Sequence, residues 1–420
     1  MIKLLHFADA HIDLARQGRQ DPETGLPLRV LDFLRALDTI VDTAVQERVD
    51  MVIFAGDAYR DRTPAPTYQR EWGRRIMRLS SAGIQTLLVI GNHDVSPATG
   101  RAHTMQEFET LQVPNVRVIS KPCLLGPQEL NGLQIQVIGI PWLNRSGLAA
   151  ALAQQGHGGE NLLEEMEENL SGVISAFLDQ LNPMLPAVLA SHVSIQGAMY
   201  GNERSVMLGR DFVLPGSIVR DARLDYVALG HIHKPQNLNP DGKPPVIYPG
   251  SIERVDFGEA ADRKTFMIAQ IEKGNAILDA RELAGRKFID VAVNLTQREA
   301  IQEKIMSALP PEDEMRDAIF RLVLDYPRDW EAMLDEAAIR RAAQSAFEFH
   351  LIRRPHIQAR LRLPEDVSIA SMSAFDLLEL YWNTVPGQRS DPTKLKQLAG
   401  EIIQSVEGEL LEAKEGQAAV

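Results

Sequence analysis

The sequence predicts an α/β fold followed by a smaller α+β domain, on three observations. Short apolar runs alternate with segments of helical period through the first part of the chain, which predicts a largely parallel sheet or two such layers packed together. At 420 residues the chain is too long for one ordinary domain and suggests two or three. The patterning then changes near Ala284–Lys287, where a linker is placed.

Ile2–Phe7 is the first strand candidate. Arg29–Gln46 has helical periodicity, with Leu31, Leu34, Leu37, Val41 and Val45 on one face. Met51–Ala55 reads as a strand, Tyr68–Ala82 as a helix and Thr86–Ile90 as a third strand. Further strands are placed at Ile135–Ile140, Ala187–Ala190, Tyr226–Leu229, Val246–Tyr248 and Phe266–Ile271. A helix is placed over Asn161–Leu181, with a loop before it at Gly156–Gly159. Beyond the linker, Phe288–Asn294 alternates as a half-buried strand does, Gln297–Ala308 is helix-like, Ala318–Asp325 strand-like, and Asp329–Phe349 has helical stretches. The division expected is therefore 1–285, 286–372 and 373–420. The last part holds two amphipathic helices, Ser373–Trp382 and Thr393–Leu411, joined by turn-rich Pro386–Pro392. They have little core of their own, and either dock on this chain or serve a partner.

Composition narrows the class. Hydrophobic residues make up 45% and charged residues 24%, which suits a soluble globular protein with a sizeable core. The one cysteine, Cys123, can form neither an internal disulfide nor a thiolate metal site, so a reducing compartment and a buried apolar role are expected. The first apolar run is broken by His6 and Asp9, unlike a signal peptide, and no run is long enough to span a bilayer. A cytoplasmic location is expected. The formal net charge of −13 argues weakly against nucleic acid, because bound divalent cations can supply positive charge where a phosphate sits.

The chemistry lies in where strands end. The first ends in Asp9-Ala-His11, the second in Gly56-Asp57, and the third in Gly91-Asn92-His93-Asp94. Later strands end in Ser191-His192 and Gly230-His231-Ile-His233. Ligands bind beyond the carboxyl ends of strands in open α/β sheets, so these residues should converge. Each motif alone is weak: Asp-x-His arises by chance, Gly-Asp is usually a turn, and Gly-His-x-His can be a packed strand. All five in order are a different matter. Asp and Asn oxygens with imidazole nitrogens suit divalent metals such as manganese. Seven of them, Asp9, His11, Asp57, Asn92, His192, His231 and His233, exceed the needs of one ion and fit two ions about 3.5–4 Å apart. Glycine before Asp57, Asn92 and His231 lets the backbone turn sharply. The other histidines, His6, His103, His157, His350 and His356, are expected to be packed or on the surface.

This ordered set resembles the calcineurin-like metallophosphoesterase superfamily, and within it the SbcD-type repair nucleases of bacteria. The resemblance is carried by Leu5-His-Phe-Ala-Asp-Ala-His11, Leu229-Gly-His-Ile-His-Lys-Pro-Gln236 and Tyr248-Pro-Gly-Ser-Ile-Glu253, and is tightest over the first 255 or so residues. It implies a two-layered β-sandwich flanked by helices, a smaller α+β capping domain and C-terminal helices. It also implies that Asp9, His11, Asp57 and His233 hold one metal and that Asp57 bridges to a second, held by Asn92, His192 and His231. His93, paired with Asp94, would contact the scissile phosphate and act as general acid. The implied activity is DNA endonuclease and exonuclease, the implied partner an SbcC-type coiled-coil ATPase docked on the terminal helices, and the implied assembly a homodimer. One departure stands out. Arg60, in Gly56-Asp-Ala-Tyr-Arg60, takes the place of an acidic residue or His in many members, and could grip a backbone phosphate.

Two stretches are locally basic. Arg60–Arg75 carries Arg60, Arg62, Arg70, Arg74 and Arg75, and Arg340–Arg362 carries Arg340, Arg341, Arg353, Arg354, Arg360 and Arg362. They are either solvated faces with counter-charges nearby or a sequence-independent phosphate track, for which Arg60, Arg62, Arg353 and Arg354 are the candidates. Two other functions remain open: hydrolysis of a small phosphodiester or nucleotide, and a non-catalytic DNA-end-binding subunit.

Overall fold

A computed structural model describes residues 1–14, 18–95, 101–143, 162–201, 213–356, 373, 375–378 and 394–403. The chain opens with strand β1 (Ile2–Phe7), helix α1 (Leu28–Gln46), β2 (Met51–Phe54), α2 (Pro66–Ser81) and β3 (Gln85–Val89). Next come α3 (Gln106–Thr110), β4 (Val116–Ile119), β5 (Cys123–Leu125), β6 (Gln136–Ile140), α4 (Leu162–Leu178) and β7 (Ala187–His192). Short β8 (Ser194–Ile195), β9 (Val213–Leu214) and α5 (Gly216–Val219) precede β10 (Tyr226–Gly230), β11 (Gln236–Asn237) and β12 (Val246–Tyr248). After them stand a hairpin of β13 (Thr265–Glu272) and β14 (Asn275–Glu282), then β15 (Phe288–Asn294), α6 (Ile301–Ala308) and α7 (Glu312–Met315). The last labelled elements are β16 (Ile319–Pro327), α8 (Glu336–Ala342) and β17 (Glu348–His356).

The predicted α/β class holds, in its two-layered form. One six-stranded sheet runs β14-β13-β1-β2-β3-β4 and the other β11-β12-β10-β7-β6-β5. Within the first, β1, β2, β3 and β4 are parallel. Within the second, β6, β7, β10 and β12 are parallel. Strand parity explains the layers, since successive side chains face opposite ways. Leu4, Met51, Ile53, Leu87 and Val89 of the first sheet cluster with Val188, Ala190, Tyr226 and Ala228 of the second. Leu5, Phe7, Val52, Phe54 and Leu88 face outward onto Phe33, Leu37 and Ile40 of α1 and Trp72 and Ile76 of α2. Ile138, Leu189 and Val227 pack on Leu170, Ile174 and Leu178 of α4. Both faces of each sheet are thus covered, which is why the central strands read as continuous apolar runs. His6 is one polar link across the sandwich: its Nδ1 lies 2.9 Å from Tyr226 Oη and its Nε2 3.1 Å from the Leu229 carbonyl. Burial lowers its pKa to about 3, so it is a neutral packed histidine.

The chain divides into two compact units. The first comprises Met1–Asp290, Asp313–Phe320 and Ser345–Glu348; the second comprises Val291–Glu312, Arg321–Gln344 and the described residues from Phe349 on. A third sheet has the order β15-β16-β17. Buried side chains of the second unit include Leu322, Leu324 and Tyr326 on β16, Ile305 on α6 and Ile339 on α8.

Several elements differ from expectation. Helix α2 begins at Pro66, two residues early, because proline suits the first helical turn. Helix α6 begins only at Ile301, since Ala300 is left-handed with φ of 53°. Asp329–Phe349 is a 3-10 turn, the short α8 and the start of β17 rather than longer helix. Strands β4, β5, β14 and β17 were not expected; they lie at sheet edges and expose much of their length, so apolar periodicity is weak. Cys123 is half-buried on β5 and free, with its thiol pushed up by burial. The loop expected at 156–159 and most of 373–420 lie outside the described residues, where 375–378 and 394–403 are helical. No described helix is long and apolar enough to cross a membrane.

Trp72 is fully buried between the outer helices and the sheet, with its ring centroid 4.8 Å from Phe54, 6.2 Å from Tyr59 and 6.5 Å from Phe7. Its replacement by Ala should destabilise the chain by about 3–5 kcal/mol in urea unfolding followed by circular dichroism.

Candidate metal centre

The topology brings the strand ends together. Asp9 and His11 lie just past β1, Asp57 just past β2, and Asn92 and His93 just past β3, three adjacent strands of one sheet. His192 ends β7, and His231 and His233 lie just past β10, its neighbour in the other sheet. The turns are tight. Asp9, His11, Asp57 and His231 have φ of 51°, 39°, 64° and 97°, a region that non-glycine residues adopt only when their surroundings enforce it. Gly56 has φ of 99°, and a Cβ there would meet the His192 ring; a Cβ on Gly91 would overlap Asp57. These glycines therefore serve loop-to-loop packing inside the centre.

The candidate ligands meet as the motifs require. Asp9, His11 and His233 form one group and Asp9, Asp57 and His192 another, the ligand atoms of each lying within 4.8 Å of one another. Asp57 Oδ2 lies 3.8 Å from His11 Nε2 and 3.5 Å from His192 Nε2, between the two. Asn92 Oδ1 lies 2.9 Å from His192 Nε2 and 3.0 Å from His231 Nδ1. The Asp9 carboxylate accepts the His231 N–H at 3.1 Å from each oxygen.

Proton accounting shows what the cluster is for. His11 Nδ1 faces the Tyr59 carbonyl at 3.3 Å, and His233 Nδ1 faces Glu259 Oε1 at 2.7 Å. Both Nδ1 atoms face acceptors and carry the ring proton. The two Nε2 atoms then face each other across 3.1 Å, both on the side where an ion would sit. His192 likewise donates Nδ1–H to the Ala55 carbonyl at 2.6 Å, leaving Nε2 toward Asn92 Oδ1 and Asp57. Carboxylate and imidazole ligand atoms gathered within 4.8 Å of one another in each group, with the Asn92 amide beside them and most of them buried, suit a cation. Oxygen and imidazole donors without sulfur fit divalent metal ions.

The electrostatics agree. Burial pushes the Asp9 carboxyl up to about 6, against His192 and His233. Burial also opposes ionisation of Asp57, but His192, His93 and His11 prevail and hold it well below the usual carboxylate range. Burial holds His11 well below the usual imidazole value. At His192 burial is outweighed by Asp57 and Asp9, which raise it to about 9. The metal-free cluster thus takes up a proton where positive charge is missing.

One expectation is corrected. His93 does not pair with Asp94: its Nδ1 lies 2.7 Å from the Arg60 carbonyl. Asp94 is fully buried and faces the other way, accepting from Gly91 N at 2.9 Å, Asp57 N at 2.8 Å, Ala58 N at 3.1 Å and Thr104 Oγ1 at 3.0 Å. It ties the β3 turn to the β2 turn. His93 is partly exposed, its ring edge-on to His11 at 5.2 Å. It borders an open cavity of about 550 Å³ that Asp13, Leu14, Arg60, Asp61, Arg62 and Thr63 complete. Buried Asp13, which no sequence motif marks, accepts the Arg60 and Asp61 N–H groups and so holds this wall.

The basic residues divide. Arg60 and Arg62 are exposed, and neither guanidinium has an ion-pair partner among the described residues. Arg70, Arg74 and Arg75 all pair with Glu71, and Arg75 also with Asp38 of α1, so that helix face carries counter-charge. Arg353 lies 3.6 Å from Glu331 and 3.5 Å from Glu336. Arg354 is exposed on β17, and 360 and 362 lie outside the described residues. Two further residues had no motif to betray them. Trp142 stacks 5.0 Å from the His231 ring and 6.2 Å from His192, and Glu259 holds His233.

The fold and centre define a metal-dependent phosphoesterase. A model of the calcineurin-like phosphoesterases matches residues 2–235, more than half of the chain, and the chain belongs to that family. It is 24% identical over 363 residues to the DNA double-strand break repair protein Mre11 of Archaeoglobus fulgidus, covering 83% of this chain and 74% of the relative. Among solved structures, a dimetal phosphatase from Danio rerio has a TM-score of 0.40 at 12% identity, over 67% of this chain and 96% of that one. A protein of Thermus thermophilus has a TM-score of 0.38 at 12% identity, over 66% of this chain and 98% of that one.

The shifts set a pH dependence. The raised His192 contributes stability to the metal-free protein that is full below its ordinary value of 6.5 and lost as pH rises through about 9. A cation must displace that proton, and below about 6 a second from Asp9. Affinity for a divalent cation should therefore rise between pH 6 and 9, by up to about tenfold per unit for each proton displaced. Calorimetry in two buffers of different ionisation enthalpy should register the release.

Proposed function

We propose that the protein is a two-metal, manganese-dependent DNA endonuclease and exonuclease of the SbcD type, hydrolysing phosphodiester bonds at DNA ends and hairpins in double-strand break repair. The observation that carries the reading is the convergence of seven ligand side chains from two sheets beside an open cavity edged by His93, Arg60 and Arg62. The named relative, a double-strand break repair protein, favours DNA as substrate.

Asp9, His11, Asp57 and His233 would hold one ion, with Asp57 shared; Asn92, His192 and His231 would complete the other. When bound, the cations supply positive charge against the phosphate and acidify an attacking water. His93 keeps its Nδ1 on the Arg60 carbonyl, so Nε2 is the atom that reaches the scissile phosphate and protonates the leaving oxygen. Asp94 serves by fixing the turns that carry Asp57 and Asn92, not by exchanging a proton with His93. Arg60 and Arg62 take the adjoining phosphates, and Arg353 and Arg354, in a capping domain over 286–372, are further phosphate contacts. Residues 373–420 dock an SbcC-type coiled-coil ATPase, and the working form is a homodimer.

The test is cleavage of end-labelled linear, hairpin and single-stranded DNA with manganese, magnesium or EDTA. Cutting should depend on manganese, vanish in Asp57→Ala, and fall about 10²–10⁴-fold in His93→Ala with metal retained. Hydrolysis of bis-p-nitrophenyl phosphate with DNA left intact, even with the ATPase added, would reassign the substrate to a small diester. In a separate binding titration, Arg60→Ala/Arg62→Ala should lower the slope of log affinity against log salt by about two, one for each phosphate no longer neutralised.

A further inference from the structure

Glu259 lies outside every ligand motif, at the end of a 3-10 turn, Phe257–Glu259, and is 2% exposed. Both of its oxygens are engaged. Oε1 accepts His233 Nδ1–H at 2.7 Å. Oε2 accepts from Lys264 Nζ at 2.6 Å and Val255 N at 3.0 Å, with Ser251 Oγ at 3.2 Å. Lys264 is itself 1% exposed and also reaches Ser251 Oγ at 2.8 Å. Ser251 in turn donates its N–H to the His233 carbonyl and bridges to Ala8, the residue before Asp9.

A buried ion pair of this kind adds little net stability, because desolvating two charges offsets their attraction. The arrangement makes sense if the carboxylate has a second task. His11 and His192 present Nδ1 to backbone carbonyls, whereas His233 presents it to a full negative charge. A carboxylate on the far nitrogen fixes the tautomer and ring orientation of a ligating histidine and makes the near nitrogen a stronger donor.

We propose that Glu259, paired with Lys264, is a positioning residue that fixes the tautomer of His233 and strengthens the hold of Asp9, His11 and His233 on their ion. The proposal rests on the reading of this cluster as a metal centre. It does not depend on which phosphodiester is the substrate.

The experiment is a Mn²⁺ titration of the full chain, monitored by electron paramagnetic resonance of the free ion. It compares the unmodified protein with Glu259→Gln, which keeps the shape of the side chain and removes its charge. One class of site should weaken about 10–100-fold and the other remain as before. Should the single variant lose its fold, shown by melting in EDTA, Glu259→Gln/Lys264→Met carries the test, since it removes both buried charges together. Unaltered binding of both ions in a folded variant would overturn the proposal, and so would equal weakening of both, which marks general loosening. An unmodified protein that binds no Mn²⁺ would overturn the metal-centre reading itself and this proposal with it.

Discussion

The arrangement of this protein turns on carboxylate and imidazole atoms held, in two groups, within 4.8 Å of one another at the ends of its strands. His11 and His233 set their Nε2 atoms face to face, Asn92 Oδ1 sits between two imidazole nitrogens, and Asp57 lies between His11 and His192. A divalent cation would complement such a set. The same turns bear buried carboxylates, a shifted His192 and four left-handed non-glycine residues. Such strain persists only where the surroundings over-determine it.

The surroundings do so through hydrogen bonds from groups outside the ligand set. Asp94 spans two turns with one carboxylate, Asp13 fixes the wall that carries Arg60, and the carbonyls of Tyr59 and Ala55 aim two imidazoles. Behind them, Phe7, Phe54, Tyr59 and Trp72 form an aromatic pad under the ends of β1 and β2. The apolar layers position the turns and the turns position the donors, which is what preorganisation requires.

The convergence of the candidate ligands was legible because parallel strands deliver their carboxyl ends to one side, so the residues just after each apolar run were bound to be neighbours. The central strands were legible for a related reason, as uninterrupted runs buried on both faces. What escaped was either exposed or contextual. Strands β14 and β17 lie at edges and expose most of their side chains, so periodicity had little to report. The arginines of α2 read as a basic patch because Asp38 is 37 residues upstream of Arg75 in sequence, yet within 2.6 Å in space. Adjacency in sequence suggested a His93–Asp94 pair, whereas the turn sends one side chain out toward the cavity and the other into the interior. Glu259 belongs to an irregular segment where neither period nor motif applies, and its meaning comes entirely from His233.

The ligands also belong to different layers. Asp9, His11, Asp57 and Asn92 come from one sheet, and His192, His231 and His233 from the other. An ion held by both would act as a rivet through the rim of the sandwich, fastening halves whose candidate ligands include His11 and His233, 222 residues apart along the chain. Its binding energy is then also folding energy, worth about 4 kcal/mol at a thousandfold excess over the dissociation constant. Metal supply in the cell would therefore govern how long the polypeptide survives proteolysis as well as how fast it works.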